Sequence, residues 1–559
     1  MNFLWTTILL SSLTVILWLL TKLYTARTFF TKLSAQGLPM PPHHLLAGHL
    51  IELSKAMKGF PTDALKVYFF AALARRYSRN GAFYLDLYPF AAPFLVITSP
   101  FLANQAVRTS PIACRKPDAL RTWFWSITGG ISMFDAEYHE WKELRDLFAR
   151  GFSYKYLMKL VPGIVDEVEI YASGLREKAR NGDIVQLDGI NLRFMMDLIE
   201  NTALNAKLNA QKGYNPLADA MLNQIKSKLA NQEVNIGQWF NFVRPIKEWH
   251  NGRKMDAYIN EELDKRFEIY KLSKHSGSKA DGHSDEKSET FQSIIDLVIE
   301  DYMGDSSRRN ATSLDQKFRT IATRNIRLLL FAGHDSTGSA ISWCYYLLSK
   351  NPSALDKLIQ EHDSVFGTDI KAISELIKTD STLLKQLPYT TAVIKETLRL
   401  FPPASSIRQG MKDVDLVDEE GNRYPTENCM VYMLHLAIQH DPKYWPRPKE
   451  FLPERWLAQP GDELYCDVPV NGAWRPFEQG PRSCIGHTLV MLELKIILAI
   501  VVRELDVQDA YVEWDEKLGD KKGVKEVDGE RAYQVDGGAA HPADGFPCRV
   551  TFREENVPA

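Results

Sequence analysis

A single cysteine in a glycine-flanked loop constrains this chain more than any other sequence feature. The loop, residues 476–486, reads Pro-Phe-Glu-Gln-Gly-Pro-Arg-Ser-Cys-Ile-Gly and leads into an apolar stretch, residues 485–505, that predicts a helix. A sulfur at a helix N-terminus faces unpaired backbone N–H groups and the positive end of the helix dipole, and both favour the thiolate over the thiol. Gly480 and Gly486 carry no side chain, so a flat ligand could approach the backbone closely on either side of Cys484.

The same loop offers a cation for such a ligand. Arg482 lies two residues before the cysteine and can pair with an anionic group, so the loop suits an iron porphyrin with its propionates. The string also fits the pattern F-x-x-G-x-R-x-C-x-G at Phe477, Gly480, Arg482, Cys484 and Gly486, and it resembles the haem-binding loop of the cytochrome P-450 superfamily. The resemblance implies haem b as the cofactor, Cys484 as the axial thiolate ligand of its iron, and haem-binding roles for the other four residues. A buried structural cysteine is the competing interpretation.

Length and composition are those of an ordinary globular protein. The chain has 559 residues, of which 45% are hydrophobic and 25% charged, and its formal net charge of −3 gives no reason to expect a nucleic-acid partner. Its six cysteines are far apart and form no C-x-x-C pair, which argues against a zinc site or a disulfide framework. A reducing compartment fits this cysteine usage.

The N-terminal segment predicts a membrane anchor. Residues 1–21 carry no charged side chain, and about 20 helical residues span roughly 30 Å, the thickness of the hydrocarbon layer. A cleaved signal peptide is the competing interpretation, but the segment lacks a basic start and a small-residue cleavage site. Three basic residues follow, Lys22, Arg27 and Lys32, and they place this flank in the cytoplasm. We therefore expect a single-pass protein of the endoplasmic reticulum with a cytosolic catalytic domain.

The sequence predicts three parts along the chain. They are a transmembrane anchor over residues 1–21, a basic and proline-rich hinge over 22–49, and a haem-thiolate catalytic domain over 50–559. Prolines stiffen the hinge at residues 37–44, similar to the hinge of microsomal members of the resembled family. Alternation at residues 83–87 and an apolar run at 94–97 predict two strands early in the catalytic domain.

An aromatic segment and a helix come next. Residues 113–134 combine aromatic residues with glycines and predict either a mobile substrate loop or ordinary core packing. In the helical segment 136–148, Trp141 and Arg145 are four residues apart and share one face. In the resembled family a W-x-x-x-R helix holds the haem propionates, which implies that Trp141 and Arg145 bind haem. An exposed pair on a helix surface is the competing interpretation.

A long helix is predicted between Ser313, which has capping-box spacing to Gln316, and Lys350, two residues before the next proline. Its middle reads Phe-Ala-Gly-His-Asp-Ser-Thr-Gly over residues 331–338. Glycines and an acid are unfavourable inside a leucine-rich helix, and local conflicts of this kind often mark a functional site.

This middle segment resembles the oxygen-binding string A-G-x-[D/E]-T-[T/S] of the same family. The resemblance implies that Ala332 and Gly333 leave room for dioxygen and that Asp335 supplies protons through a relay. The sequence departs from the pattern at Ser336, which keeps the hydroxyl but lacks the β-methyl that stiffens threonine. We expect Ser336 to be the relay hydroxyl, with Thr337 as the alternative. A salt-bridged structural acid is the competing interpretation of Asp335.

Charged residues after the long helix match two more family segments. Glu396 and Arg399 form an E-x-x-R pair, and Pro-Glu-Arg-Trp follows at residues 453–456. By resemblance, Glu396, Arg399 and Arg455 form a buried charge triad, which we expect to be structural. Arg408 lies within one residue of the position of the family's propionate-binding arginine, which implies a haem-binding role.

Together these patterns imply a mainly α cytochrome P-450 fold with small β-sheets, preceded by an N-terminal transmembrane helix. In the polar tail, residues 539–542 predict a turn that reaches the substrate pocket, and residues 548–552 predict a strand. No NADPH- or flavin-binding string is visible in the sequence, so electrons must come from a separate reductase. By resemblance this partner is an NADPH-dependent membrane flavoprotein.

The implied function is that of a membrane-anchored haem-thiolate monooxygenase. It would activate dioxygen to hydroxylate or otherwise oxidise an apolar small molecule, similar to fungal members that tailor secondary metabolites such as polyketides or terpenoids. Two alternatives stay open. The same site could desaturate, rearrange or dehydrate its substrate, or the protein could bind haem at the membrane without catalysis. Asp335 argues mildly against the second alternative, because haem binding alone needs no proton path.

Overall fold

The computed structural model describes residues 2–229, 241–277, 293–308, 311–467, 472–519 and 525–553. Within it the chain divides into two compact units. The first contains Met1–Pro117, Ser405–Tyr444 and Asp467–Arg482, and the second contains Asp118–Ala404, Trp445–Cys466 and Ser483–Ala559. The cysteine loop is therefore divided after Arg482, and its last residues, with Cys484, belong to the second unit.

The described residues are mainly helical. The α-helices are α1 (Asn2–Ala35), α2 (Leu50–Met57), α3 (Lys66–Tyr77), α4 (Pro100–Asn104), α5 (Asp118–Thr128), α6 (Tyr138–Ala149), α7 (Tyr154–Asn181), α8 (Leu187–Leu204), α9 (Pro216–Leu229), α10 (Val243–Gly277), α11 (Ile294–Met303), α12 (Gln316–Lys350), α13 (Pro352–Phe366), α14 (Ile373–Thr379), α15 (Pro388–Leu400), α16 (His435–Gln439), α17 (His487–Val501) and α18 (Tyr511–Leu518). The strands are β1 (Ala82–Leu85), β2 (Phe94–Ile97), β3 (Val185–Gln186), β4 (Ser406–Gln409), β5 (Asp415–Val417), β6 (Arg423–Pro425), β7 (Met430–Met433), β8 (Leu505–Asp509), β9 (Gln534–Asp536), β10 (Ala540–Pro542) and β11 (Pro547–Phe552).

A four-stranded sheet organises the first unit. Its order is β1-β2-β7-β4, with β2 and β7 parallel and the other neighbours antiparallel. Phe83 pairs with Val96, and both side chains are fully buried in a cluster that includes Leu73 of α3. The two strands predicted in this region are confirmed, although β1 ends at Leu85.

Helix α1 is longer than the predicted anchor. It continues beyond residue 21 to Ala35, so the first part of the predicted hinge over 22–49 is helical. Among the described residues, α1 is the one helix long and apolar enough to cross a membrane, over Trp5–Ala35.

Arg27, one of the basic residues that follow the apolar segment, is buried and only 2% exposed. Its guanidinium pairs with the carboxylate of Asp86 and donates to the backbone carbonyls of Leu45, Leu46 and Tyr88. This contact ties the end of α1 to the segment that follows β1.

Helix α12 packs along α8 in the second unit. A Cβ atom added to Gly333 would lie 2.7 Å from the side chain of Ile199, and one added to Gly338 would lie 3.1 Å from that of Leu192. The glycines that disfavour a helix locally therefore let α12 approach α8. The helix begins later than predicted, because its N-cap is Asp315, whose carboxylate accepts from the Phe318 N–H, and not Ser313.

Other expectations for the second unit have mixed outcomes. Residues 118–128 form α5, in which Phe124 contacts Phe331 of α12 with ring centroids 5.5 Å apart, so core packing describes this segment better than a mobile loop. The predicted strand near residue 548 is confirmed as β11, which pairs antiparallel with β8 and β3. The predicted turn at residues 539–542 is wrong, because β10 pairs there with β9 in a hairpin.

The predicted charge triad forms as expected. Arg399 donates to both oxygens of Glu396 at 2.8 and 2.9 Å, and Arg455 donates to Glu396 Oε1 at 2.9 Å. Trp456 adds a fourth contact, from its ring N–H to Glu396 Oε2 at 3.0 Å. Because these charged side chains are fully buried and mutually paired, the triad fixes α15 against the turn at residues 453–456.

Candidate active site

Cys484 lies just before α17 in the second unit. Gly486 is the N-cap residue of that helix, and the backbone N–H groups of Gly486 and His487 point at the sulfur. Burial by the surrounding protein raises the pKa of the Cys484 thiol, while these N–H groups and the charge of Arg145 oppose the rise. The helix N-terminus thus acts in the predicted direction but does not outweigh desolvation. Cys484 as a residue is nevertheless exposed, and a metal cation bound to its sulfur would stabilise the thiolate.

Trp141 and Arg145 lie one turn apart on α6, as the sequence predicted. Trp141 is buried, and Arg145 is half-buried and donates from Nη1 to the carbonyl oxygen of Ser483 at 2.7 Å. Desolvation lowers the pKa of Arg145, and the nearby Cys484 opposes this shift. The structure therefore brings Arg145 to the backbone that precedes the cysteine, where its positive charge favours a thiolate.

The middle of α12 has one accessible face. Ala332 is exposed and Gly333 and Ser336 are half-buried, whereas their neighbours along the helix are buried. Ser336 donates from its hydroxyl to the carbonyl oxygen of Ala332 at 2.8 Å. Since residues i, i+1 and i+4 share a side of a helix, these three form a surface of small side chains with one hydroxyl.

Asp335 and Thr337 lie on other sides of α12 and are buried. The Asp335 carboxylate accepts from the Ala539 N–H and faces the His541 ring, with 3.2 Å between Oδ1 and Nε2. The other ring nitrogen of His541 lies 2.9 Å from Asp188 on α8. Sequence reasoning missed Asp188 and His541, because neither belongs to a local motif and they are 353 positions apart.

The first unit holds the remaining predicted residues. Gly480 has a φ of +77°, and a Cβ atom there would lie 2.1 Å from the carbonyl oxygen of Val107. Glycine is therefore required for close backbone packing, independently of any ligand. Phe477 is half-buried beside Trp474, with ring centroids 5.8 Å apart, and Arg482 is also half-buried.

Arg408, on β4, has a spare donor. Its side chain is 1% exposed and donates to the carbonyl oxygens of Ala113 at 2.6 Å and Ile407 at 2.9 Å. Its Nη2 atom is buried and has no hydrogen-bond partner among the described residues. Burial lowers the pKa of Arg408, and Glu478 opposes this. A buried cation with an unused N–H group suits an anionic ligand.

The loop carries a second arginine that sequence reasoning missed. Arg475 is fully buried, donates to Asn104 Oδ1 at 2.7 Å and pairs with the carboxylate of Glu478. Glu478 also lies 3.2 Å from His435 Nε2. Burial alone would raise the pKa of Glu478, but His435 and Arg475 hold it well below its usual range. These contacts fix the first-unit part of the loop.

Cys484, in the second unit, is a donor that suits iron. No group of three or more His, Cys, Asp or Glu side chains within the described residues could hold a metal ion. A porphyrin would supply the other ligands of an iron held by Cys484. The spare donor of Arg408 in the first unit fits the carboxylate of a propionate.

Comparison with known proteins gives the same assignment. The family model for cytochrome P-450 matches residues 38–521. The cytochrome P-450 monooxygenase polC of Polytolypa hystricis is 37% identical over 96% of this chain and 94% of its own length. The cytochrome P-450 monooxygenase acrF of Aspergillus aculeatus is 31% identical over 86% of this chain and 96% of its own length. The crystal structure of the cytochrome P-450DA haem domain superposes with a TM-score of 0.66 at 18% identity, over 92% of this chain and 98% of that one. The chain belongs to the cytochrome P-450 family, whose members bind haem through a cysteine thiolate.

Proposed function

We propose that this cytochrome P-450 monooxygenase uses Cys484 as the axial ligand of its haem and oxidises an apolar small molecule of fungal secondary metabolism. The observation that carries the proposal is the position of Cys484 at the start of α17. Backbone N–H groups and Arg145 favour a thiolate there, and Cys484 is an exposed residue. No other cysteine of the described residues combines these features, since the rest are buried or half-buried.

The side chains of α12 supply the remaining parts of the proposed site. Haem, when bound, supplies the iron centre at which dioxygen is reduced. Ala332 leaves space on the accessible face of α12, and the Ser336 hydroxyl can donate and accept a hydrogen bond there. The space that Gly333 leaves is filled by Ile199 of α8. Asp335 is the acid of this segment and would deliver protons to the accessible face through the Ser336 hydroxyl as a relay. Arg408 would pair with a propionate through its spare N–H group.

Reduced carbonyl spectra test the ligand assignment. Wild-type protein should give the strongly red-shifted Soret band of thiolate ligation, and Cys484→Ala should abolish it because alanine offers no ligand to iron. Cys114→Ala, which changes a half-buried cysteine of the first unit, is the matched control and should keep the band. A band that survives Cys484→Ala would show that another residue binds the iron.

The membrane anchor, the reductase and the substrate class have separate support. Helix α1 is long and apolar enough to span a membrane, and the proposed location is the endoplasmic reticulum with a cytosolic catalytic domain. Electrons would come from an NADPH-dependent flavoprotein reductase, because the sequence contains no G-x-G-x-x-G string of its own. The fungal origin of polC and acrF supports a small molecule of fungal secondary metabolism as the substrate.

Product analysis by mass spectrometry separates the possible reactions. The reconstituted enzyme and reductase would be incubated with candidate polyketides and terpenoids. A gain of one oxygen atom indicates hydroxylation, and a loss of two hydrogens indicates desaturation. Unchanged substrates across the panel, from protein with a normal carbonyl spectrum, would contradict the proposed substrate class.

A further inference from the structure

His541 lies between two carboxylates that come from distant parts of the second unit. Its Nδ1 atom is 2.9 and 3.0 Å from the two oxygens of Asp188 on α8, and its Nε2 atom is 3.2 Å from Oδ1 of Asp335 on α12. The side chains of His541, Asp188 and Asp335 are 5%, 9% and 5% exposed, respectively. Of these three residues, only Asp335 belongs to a family motif read from the sequence.

The geometry favours a charged imidazole. Neutral histidine has one N–H donor, so it could serve one carboxylate while presenting a lone pair to the other. An imidazolium donates from both nitrogens and satisfies both carboxylates. Burial opposes the charge, but Asp188 and Asp335 raise the pKa of His541 well above its ordinary value.

The surrounding backbone is shaped for this cluster. A Cβ atom on Gly537 would lie 2.2 Å from the His541 ring, and one on Gly538 would lie 2.7 Å from Oδ2 of Asp335. The hairpin of β9 and β10 is also fixed to α12, because Ser339 and Trp343 donate to the Ala540 carbonyl oxygen at 2.6 and 3.1 Å. His541 is therefore held at Asp335 by a rigid hairpin.

Ser342, His334 and Tyr511 are neutral groups beside the cluster, and one acid on the hairpin, Asp536 of β9, accepts from the Gly538 N–H at 3.3 Å. Ser342 donates to Asp188 Oδ1 at 2.9 Å and accepts from Asn191. His334, next to Asp335, has its Nδ1 atom 2.7 Å from the Leu330 carbonyl oxygen, and burial lowers its pKa. Tyr511, near Asp188, is buried, and desolvation raises its pKa. In the described part of the chain, His541 is the one cation paired with either Asp188 or Asp335.

We propose that His541 is a positioning residue for Asp335, which turns the carboxylate toward the hairpin and stores the proton that Asp335 delivers during turnover. In this step the Nε2–H bond of His541 breaks and an O–H bond forms on Asp335. The imidazole is left neutral and still donates from Nδ1 to Asp188, and the cluster regains its proton from solvent water. No electrons move. The inference rests on the proposed proton-delivery role of Asp335.

Three variants of the full-length holoenzyme separate this role from a structural one. His541→Gln keeps a hydrogen-bond donor but removes the titrating ring. Asp188→Asn removes the negative charge that faces Nδ1 of His541. Ser339→Ala is the matched control, because it removes a hydrogen bond between the same hairpin and α12 without changing any charge.

Two measurements are made on each variant. In NMR spectra of protein labelled at the histidine ring carbons, the His541 signal is identified as the one that His541→Gln removes. In wild-type protein this ring should stay protonated through about pH 8. Asp188→Asn should move the pKa of the ring toward the ordinary histidine value of about 6.5. The alkaline limit of NADPH consumption with the reductase should move by about 1 pH unit or more to lower pH in His541→Gln and Asp188→Asn. Ser339→Ala should change neither.

Two results would overturn the inference. One is a wild-type His541 signal that titrates near the ordinary histidine value. The other is a Ser339→Ala profile displaced as far as that of His541→Gln, which would show that loosening the hairpin is sufficient. Asp188→Asn keeps the test available if His541→Gln does not fold. Absence of the thiolate carbonyl band in wild-type protein would count against the proposed function alone, because the NMR titration does not depend on it.

Discussion

At the residue scale, the two hydroxyls that follow Asp335 have different surroundings. Ser336 is half-buried and donates its hydroxyl to the Ala332 carbonyl oxygen on the accessible face of α12. Thr337 is fully buried, and its hydroxyl has no hydrogen-bond partner among the described residues. This difference favours Ser336 over Thr337 as the relay hydroxyl.

Replacing each hydroxyl should therefore have different effects. Ser336→Ala should increase the peroxide released per NADPH consumed, because reduced oxygen loses a hydrogen-bond partner. Thr337→Val should leave this ratio unchanged, and thermal stability should hold or rise, because a buried unpaired hydroxyl costs about 1–3 kcal/mol. Assays of peroxide and NADPH, with melting curves, check both. Uncoupling by Thr337→Val without uncoupling by Ser336→Ala would place the relay one residue later.

Asp335 should control the rate without controlling haem content. Asp335→Asn keeps the shape of the side chain but removes its titrating group, and general acid–base groups contribute about 10²–10⁴-fold in rate. We expect turnover to fall by roughly 10–100-fold, since water can partly substitute. Asp356→Asn, at an exposed position on α13, is the control. A wild-type rate in Asp335→Asn would assign the carboxylate a purely structural salt bridge with His541.

At the element scale, α8 carries a buried acid that makes stability depend on pH. Glu200 is fully buried, accepts from the Tyr258 hydroxyl at 3.0 Å on Oε1, and has no partner for Oε2 among the described residues. Burial raises the pKa of Glu200 to about 8. The folded state therefore favours the neutral acid. This contribution to stability is fully present below the unfolded carboxyl pKa, near 4.3, and is lost as pH rises through about 8.

Glu200→Gln should remove this part of the pH dependence. A neutral amide has no proton to lose, so the variant should be more stable than wild type at pH 8 and lose the advantage near pH 4. Each unit of pKa shift corresponds to about 1.4 kcal/mol, so the difference at pH 8 should reach a few kcal/mol. Melting temperatures across pH check it, with Glu177→Gln at an exposed position of α7 as the control. Parallel curves for wild type and Glu200→Gln would contradict the assignment.

At the scale of the whole molecule, the anchor and the first unit share one helix. Arg27 and Asp86 are both nearly inaccessible to solvent, with side chains 2% and 1% exposed. Removing one partner of a buried ion pair typically costs about 3–5 kcal/mol, because the other charge stays buried. The two halves of α1 therefore have separable roles: the half with Arg27 stabilises the fold, and the apolar half is the proposed membrane anchor.

Two truncations should separate these roles. Deleting residues 2–21 should release much of the protein from membranes and leave haem content and melting temperature unchanged, because Arg27 remains. Deleting residues 2–35 should also lower the melting temperature, as should Arg27→Ala in the full chain. Lys22→Ala, at an exposed position of α1, is the control. Equal melting temperatures for the two truncations would contradict a stabilising role for Arg27.

The sequence by itself predicted the features whose signals are local. Each of these features lies within one or two elements, so the spacing of residues along the chain specifies where it is found. They are the cysteine before an apolar helix, the glycines and acid inside α12, and the E-x-x-R pair. The mainly α fold with small sheets was implied by the resemblance that the family motifs carry. Even the length of α12 was close, because a cap and a following proline delimit a helix through local backbone chemistry.

Only the tertiary structure decided the partners of these residues. Asp335 could be recognised as an acid in a helix, but its pairing with His541 joins residues 206 positions apart. Arg27 looked like a membrane-flanking charge, yet it is buried and pairs with the carboxylate of Asp86, 59 positions later. Gly480 is required by the approach of the Val107 carbonyl oxygen. Such contacts depend on how whole elements pack together, and local propensities carry no information about which distant side chains the packing will bring into contact.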